Sequence, residues 1–391
     1  MEKRHFETIA IRTQMEKTTQ KEHSSPLYLT SSFTFDSAEE GAGLFSGELE
    51  GNLYSRFSNP NTDEFVEKLR LLEQCEAGVA TASGMAAVYV SMVALLKTGD
   101  HIVASSAIFG NSRHIVSSIL PDMGIEYTYV DVDQNEQWEE AVRSNTKMIF
   151  VETPSNPTLK TADLEFLGKL CQEKGLIFSV DNCFATPYLQ QPIKYQADLV
   201  IHSATKYIDG QGRVLGGAIL GKEDPVKKCY DFIRRMGASL SPFNAWVLSK
   251  SIETLALRMD RHCSNATAIA SFLAEHPAID KVIYPHRTDY GQYDLAKKQM
   301  SQGGGLVGCE IKGGAERGAA FLNALTLHSL TANLGDVRSI ATHPSSTTHS
   351  KMSKEEQLSV DITPGFIRFS VGLEHVDDII KDIDQALHKS K

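Results

Sequence analysis

Lys206 stands directly after Ser203, Ala204 and Thr205, at the end of the apolar run 199–201. The run reads as a buried strand of a parallel sheet, and ligands of such sheets collect at the carboxyl ends of the strands. Ser203 and Thr205 alternate with Ala204, so both hydroxyls can face one phosphate while the lysine amine reaches an aldehyde. Asp181 ends a second apolar run, 178–180. A carboxylate is costly to bury there without a partner, and a protonated ring nitrogen is a natural one. An amine, an acid for a ring nitrogen and hydroxyls for a phosphate are together what pyridoxal phosphate asks of a protein. Taken singly, Lys206 reads as an ordinary solvated lysine and Asp181 as a turn cap.

Other stretches supply further parts of the same chemistry. Ser83, Gly84 and Met85 open an apolar helix, where small residues leave backbone N–H groups free for a phosphate. Asn156 sits in a proline-held loop after the run that ends at 151. Tyr54 and Arg56, two positions apart, project to one side if the chain is extended. They are either incidental residues of a surface arm or a phosphate-binding pair delivered across a subunit interface. Arg368 lies in the β-rich run 366–371. Buried arginines pair with carboxylates, so a structural salt bridge and a two-pronged grip on a substrate α-carboxylate both stay open. The NLGDVRS stretch, with Asn333, Arg338 and Ser339, is the second point of interest in that region.

These residues need a sheet to position them. From about 75 to 222, short β-rich runs alternate with helical segments, the signature of βα units and a mostly parallel sheet. Strands are expected at 78–81, 101–104, 126–130, 148–151, 177–180, 199–201 and 216–220. Helices fit near 63–73, 85–97, 109–120, 135–143, 163–174 and 224–236. Residues 1–60 show no clear period and read as an irregular arm, a length that is uncommon unless the arm is functional or packs on a partner. A long amphipathic helix, with a possible break, is expected over 242–275. Beyond it, strands at 282–284, 306–311 and 366–371 and helices near 313–325, 353–359 and 375–389 make a smaller α+β domain. The division expected is an arm at 1–60, an α/β domain at 61–250 and a C-terminal α+β domain at 251–391.

With 41% hydrophobic and 23% charged residues, the composition is that of an ordinary globular protein. The net charge of −10 carries no basic footprint for nucleic acid. No run is long and apolar enough to span a bilayer, and the N-terminus lacks the apolar core of a secretory signal. Six scattered cysteines, without metal spacing, read as reduced thiols in a cytoplasmic protein; no metal is expected.

The motifs YSRFSNP, ATASGMAAV, ETPSNP, SVDNCFATP, HSATKYIDGQGR and ATHPSSTTHS, in this order, resemble the Cys/Met-metabolism family of pyridoxal-phosphate enzymes of fold type I. The resemblance covers nearly the whole chain. It implies an aspartate-aminotransferase-like α/β fold with a mostly parallel seven-stranded sheet. It implies Lys206 as the cofactor-bearing lysine and proton shuttle, and Asp181 as the partner of the ring nitrogen. Ser83, Gly84, Met85, Ser203 and Thr205 match the phosphate cup. Tyr54 and Arg56 match the pair that reaches a neighbouring subunit, so a homodimer-shared site, and commonly a homotetramer, is implied. Asn156 and Arg368 match the substrate-carboxylate groups, with Asn333, Arg338 and Ser339 expected on the substrate side. Many members stack a tyrosine on the ring where this chain has Phe109. Many have Ser where it has Asn333, and cystathionine-handling members often have Glu where it has Arg338; an arginine facing the pocket would suit a distal carboxylate. The branch of best resemblance implies γ-replacement on an activated homoserine ester: O-succinylhomoserine and sulfide to homocysteine and succinate, a step of methionine biosynthesis. Cysteine as nucleophile, γ-elimination without replacement, and a non-catalytic protein are the alternatives.

Overall fold

The computed structural model describes residues 4–347, 350, 353–358 and 361–390. Its larger sheet has seven strands: β1 (Ala77–Thr81), β2 (His101–Ser105), β3 (Glu126–Val130), β4 (Thr146–Glu152), β5 (Ile177–Asp181), β6 (Leu199–Ser203) and β7 (Gly217–Gly221). They lie in the order β1-β7-β6-β5-β4-β2-β3. Strands β6, β5, β4, β2 and β3 run parallel, and β7 runs antiparallel to both of its neighbours. Two reversals cancel, so β1 points the same way as β6, and its carboxyl end meets theirs on one edge.

The central strands are buried on both faces, which explains why they read as continuous apolar runs rather than alternating ones, while the edge strand β3 is buried only at Val130. Val103, Ile149, Val151, Val180 and Val200 join one apolar cluster, while their chain neighbours Ile102, Met148, Phe150, Leu199 and Ile201 join another. Helices cover each face. Pro60–Glu73, Leu164–Lys174 and Pro242–Ile252 feed the first cluster, and Gly84–Val93 and Glu223–Met236 the second.

The smaller sheet holds β8 (Ile279–Ile283), β9 (Leu306–Ile311), β10 (Ser329–Leu330), β11 (Ile340–Thr342) and β12 (Phe366–Ser370), in the order β10-β11-β12-β9-β8. Strands β10 and β11 are two and three residues long, too short for a period, and went unforeseen. The expected helix over 242–275 is two helices, Pro242–Ile252 and Leu255–Glu275, broken at 253–254. The segment near 109–120 is a short α-helix, Gly110–His114, that widens into a π turn at Ile115–Ile119. The arm is not wholly irregular, since Phe6–Arg12 and Ala38–Ser46 are helical. The first buries only Ala10, so it leaves no apolar stripe in the sequence. The last residue of the helix expected at 353–359, and positions 348 and 349 of ATHPSSTTHS, lie outside the described residues. No helix among the described residues is long and apolar enough to cross a membrane.

Candidate active site

The shared carboxyl edge gathers the site. Glu152 ends β4 opposite Asp181, which ends β5, and Asp181 pairs in turn with Ile201 of β6. These ends open on one cavity of about 220 Å³. Ser83, Gly84 and Met85 line it from the turn after β1; Phe109 and Ser112 come from beyond β2, and Glu152 and Asn156 from the end of β4. Asp181 and Cys183 follow from β5, and Ser203, Thr205 and Lys206 from β6. Ala332 and Leu334 enter from the turn between β10 and β11, so the smaller sheet closes the far wall.

Phosphate chemistry suits one end of this cavity. Ser83 caps the helix Gly84–Val93, its hydroxyl accepting from Ala86 N at 3.1 Å, and the helix's first N–H groups and positive dipole end point at the opening. A Cβ at position 84 would lie 2.4 Å from Ser203 Cβ, so glycine keeps the backbone close to Ser203. The Thr205 hydroxyl accepts from Gly216 N at 3.2 Å, which fixes its side chain at the rim.

The charged groups are tuned mainly by burial. Lys206 donates to Asn333 Oδ1 at 2.9 Å; burial lowers the proton affinity of its amine, and the positive charge of Arg368 adds to that against the opposing influence of Cys183. Burial lifts Asp181 to about 6, although Cys183 N–H, donating to its Oδ1 at 3.1 Å, and the charge of His202 both pull it down. Glu152 is held well above the usual carboxylate range, first by burial and then by the charge of Asp181 beside it. Burial brings Arg368 down to about 10, which leaves it charged at neutral pH. Its Nη1 donates to Asn156 Oδ1 at 2.7 Å and its Nη2 to the Asn333 carbonyl at 3.2 Å, while Nε has no partner. Among the described residues no carboxylate pairs with it, so the salt-bridge alternative for Arg368 is excluded there. A buried guanidinium without an anion is strongly disfavoured unless a ligand brings one.

The turn that carries Lys206 is clamped from behind. Arg258, on the helix Leu255–Glu275, donates to the Tyr207 carbonyl at 2.5 Å, the Ile208 carbonyl at 3.2 Å and the Ser251 carbonyl at 3.0 Å.

Some expected residues stand elsewhere. Within one chain Tyr54 and Arg56 do not reach the cavity: the Arg56 guanidinium donates to the Arg234 carbonyl and lies 4.8 Å from the Phe57 ring centre. Arg338 does not face the cavity either, which corrects the expectation of a pocket arginine. Its Nε and Nη2 bind the Asp336 carboxylate at 2.8 and 3.0 Å, Nη2 also reaches the Gln211 carbonyl at 2.7 Å, and the side chain is 60% exposed. An acceptor two residues away captures the fork before it can turn inward. Ser339 is buried against Glu374, donating to it at 2.9 Å and accepting from Gly372 N at 2.9 Å. Asn333 and Arg368 stand just behind the cavity wall, tied to Lys206 and Asn156. Glu152 was missed, although the signal used for Asp181, an acid directly after a buried apolar strand, applies to it equally.

Residues 7–388 match the family described as "Cys/Met metabolism PLP-dependent enzyme". The chain is 41% identical over 382 residues to an O-succinylhomoserine sulfhydrylase of Pseudomonas aeruginosa, covering 98% of this chain and 95% of that one. It is also 41% identical over 367 residues to an L-methionine gamma-lyase of Porphyromonas gingivalis, covering 93% and 92%. A crystal structure of a putative O-acetylhomoserine (thiol)-lyase from Campylobacter jejuni, carrying a pyridoxyl-lysine phosphate, superposes with a TM-score of 0.94 at 34% identity, covering 98% of this chain and 99% of that one.

Proposed function

We propose that this chain, which belongs to the Cys/Met-metabolism family of pyridoxal-phosphate-dependent enzymes, carries out γ-replacement on an activated homoserine ester. O-succinylhomoserine and sulfide would give homocysteine and succinate. The observation that carries the reading is the convergence of Lys206 and Asp181 on one cavity, with the unpaired guanidinium of Arg368 behind it. Bound pyridoxal phosphate supplies an electrophilic aldehyde carbon and an electron-withdrawing ring.

The chain's residues do the rest. The N–H groups of Gly84 and Met85, with the hydroxyls of Ser83, Ser203 and Thr205, would hold the phosphoryl oxygens. Asp181, which lines the same cavity as Lys206, would hold the proton on the ring nitrogen. Arg368, steadied by Asn156, takes the α-carboxylate and so presents the α-hydrogen to Lys206. The lowered proton affinity of the Lys206 amine suits it to lift that proton and later return it. Phe109 offers an aromatic face and no proton. A carboxylate such as succinate leaves Cγ without being protonated, whereas a thiolate does not leave readily, so Phe109 favours esters over thioethers.

The similarity to a methionine gamma-lyase at equal identity supports γ-elimination as the second reading, and cysteine as nucleophile is a third. The arm bears Leu29 at 71%, Phe45 at 58% and Tyr54 at 43% exposure. That apolar surface favours a second copy docking there, with Tyr54 and Arg56 completing the neighbour's phosphate site, in a dimer or a tetramer of such dimers. Six free, buried cysteines suit a cytoplasmic setting. The test is a product assay on the purified protein with O-succinylhomoserine and sulfide, with cysteine in place of sulfide, and with methionine alone. Homocysteine with stoichiometric succinate is expected. 2-Oxobutyrate as the dominant product in the presence of sulfide would overturn the replacement reading.

A further inference from the structure

Glu152 is only 2% exposed, lines the cavity and has no cationic partner among the described residues. Its two oxygens go to two different loops. Oε2 accepts from Phe109 N at 2.7 Å, in the loop beyond β2, and Oε1 accepts from Asn156 N at 3.1 Å, in the loop beyond β4. The first loop carries Phe109, one of the two aromatic residues that line the cavity, with Phe184. The second carries Asn156, whose Oδ1 takes Nη1 of Arg368. One carboxyl group therefore bridges the loop of Phe109 and the loop of Asn156. Burial and the charge of Asp181 both favour the protonated form of Glu152, and a neutral carboxyl still offers two acceptor oxygens.

We propose that Glu152 is a positioning residue that fixes the Phe109 loop and the Asn156 loop relative to each other, acting on cofactor retention through one and on α-carboxylate binding through the other. This rests on the reading that the cavity holds pyridoxal phosphate and an α-amino acid. The holoenzyme tests it. Glu152→Gln keeps the side-chain shape but has one acceptor oxygen, so one of the two backbone N–H groups meets an amide N–H₂. Two quantities are followed: the rate of pyridoxal phosphate release on gel filtration, and the dissociation constant of glycine read from the absorbance of the bound cofactor. Each is expected to worsen about tenfold, the size expected when a buried N–H is left without an acceptor. In an Asn156→Ala background, Glu152→Gln should leave glycine binding where Asn156→Ala put it, while still speeding cofactor release. Either quantity within about twofold of wild type, or effects on glycine that multiply in the double variant, would overturn the proposal. A wild type that neither retains the cofactor nor responds to glycine would instead remove the reading of the cavity on which it rests.

Discussion

Asp181→Asn should act in opposite directions on the cofactor-free and the cofactor-loaded protein. Burial raises the Asp181 carboxyl from 3.8 to about 6. The folded chain thus keeps a proton up to about pH 6 that the unfolded chain releases near pH 4. Stability of the cofactor-free protein therefore falls as the pH rises between those values, and the whole penalty is present above pH 6. At about 1.4 kcal/mol for each tenfold change in proton affinity, the penalty is about 3 kcal/mol. Asp181 opens on the cavity rather than on packed protein, and partial screening there brings this to about 2 kcal/mol. Asparagine carries no such penalty and can still accept from Cys183 N. Relief of Glu152 from its charged neighbour acts in the same direction. The variant should be more stable than wild type by about 2 kcal/mol at pH 8 and by about half as much at pH 5, measured by urea unfolding of both proteins after removal of the cofactor. The loaded variant should bind pyridoxal phosphate at least about tenfold more weakly, because the ring nitrogen loses its anion. A variant less stable than wild type at pH 8, or equally stabilised at both pH values, would refute the electrostatic origin of the effect.

The remaining expectations concern groups around that pair. Arg368→Lys keeps a charge but loses the fork, and should raise KM for the homoserine ester by about 30-fold or more with a smaller change in kcat; steady-state kinetics decide this, and an unchanged KM would free Arg368 of the carboxylate. Phe109→Tyr adds a proton donor at the cavity wall and should raise γ-elimination from methionine at least about tenfold relative to ester replacement; product ratios measure it, and an unchanged ratio would end the argument from leaving groups. Arg56→Ala should speed cofactor loss on dilution by about tenfold, and a wild-type monomer that retains the cofactor tightly would contradict a shared site.

The parts of the site that were legible in sequence are those whose signal is local. Lys206, Ser203 and Asp181 each follow an apolar run, and the run both builds the strand and delivers the residue to the sheet edge. Glu152 carries that same local mark, but the reading of this stretch rests on Asn156 in its proline-held loop; the two partners of Glu152 come from loops 43 and 4 residues away, and no spacing announces the first. Arg338 shows the opposite failure. The resemblance suggested a pocket-facing arginine, yet Asp336, two positions back, satisfies the fork at once. The helices Phe6–Arg12 and Ala38–Ser46 bury only Ala10, and only Gly41 and Gly43, respectively, so neither shows an apolar stripe in sequence.

The grip of Arg258 on the carbonyls of Tyr207 and Ile208 bears on how this chain could be recombined. A chimera joined near position 250 to a foreign C-terminal half would forfeit that clamp, along with the Asn333 and Arg368 contacts. The first 250 residues are therefore no transplantable cofactor cassette, and exchange between homologues must carry the clamp and its target turn together.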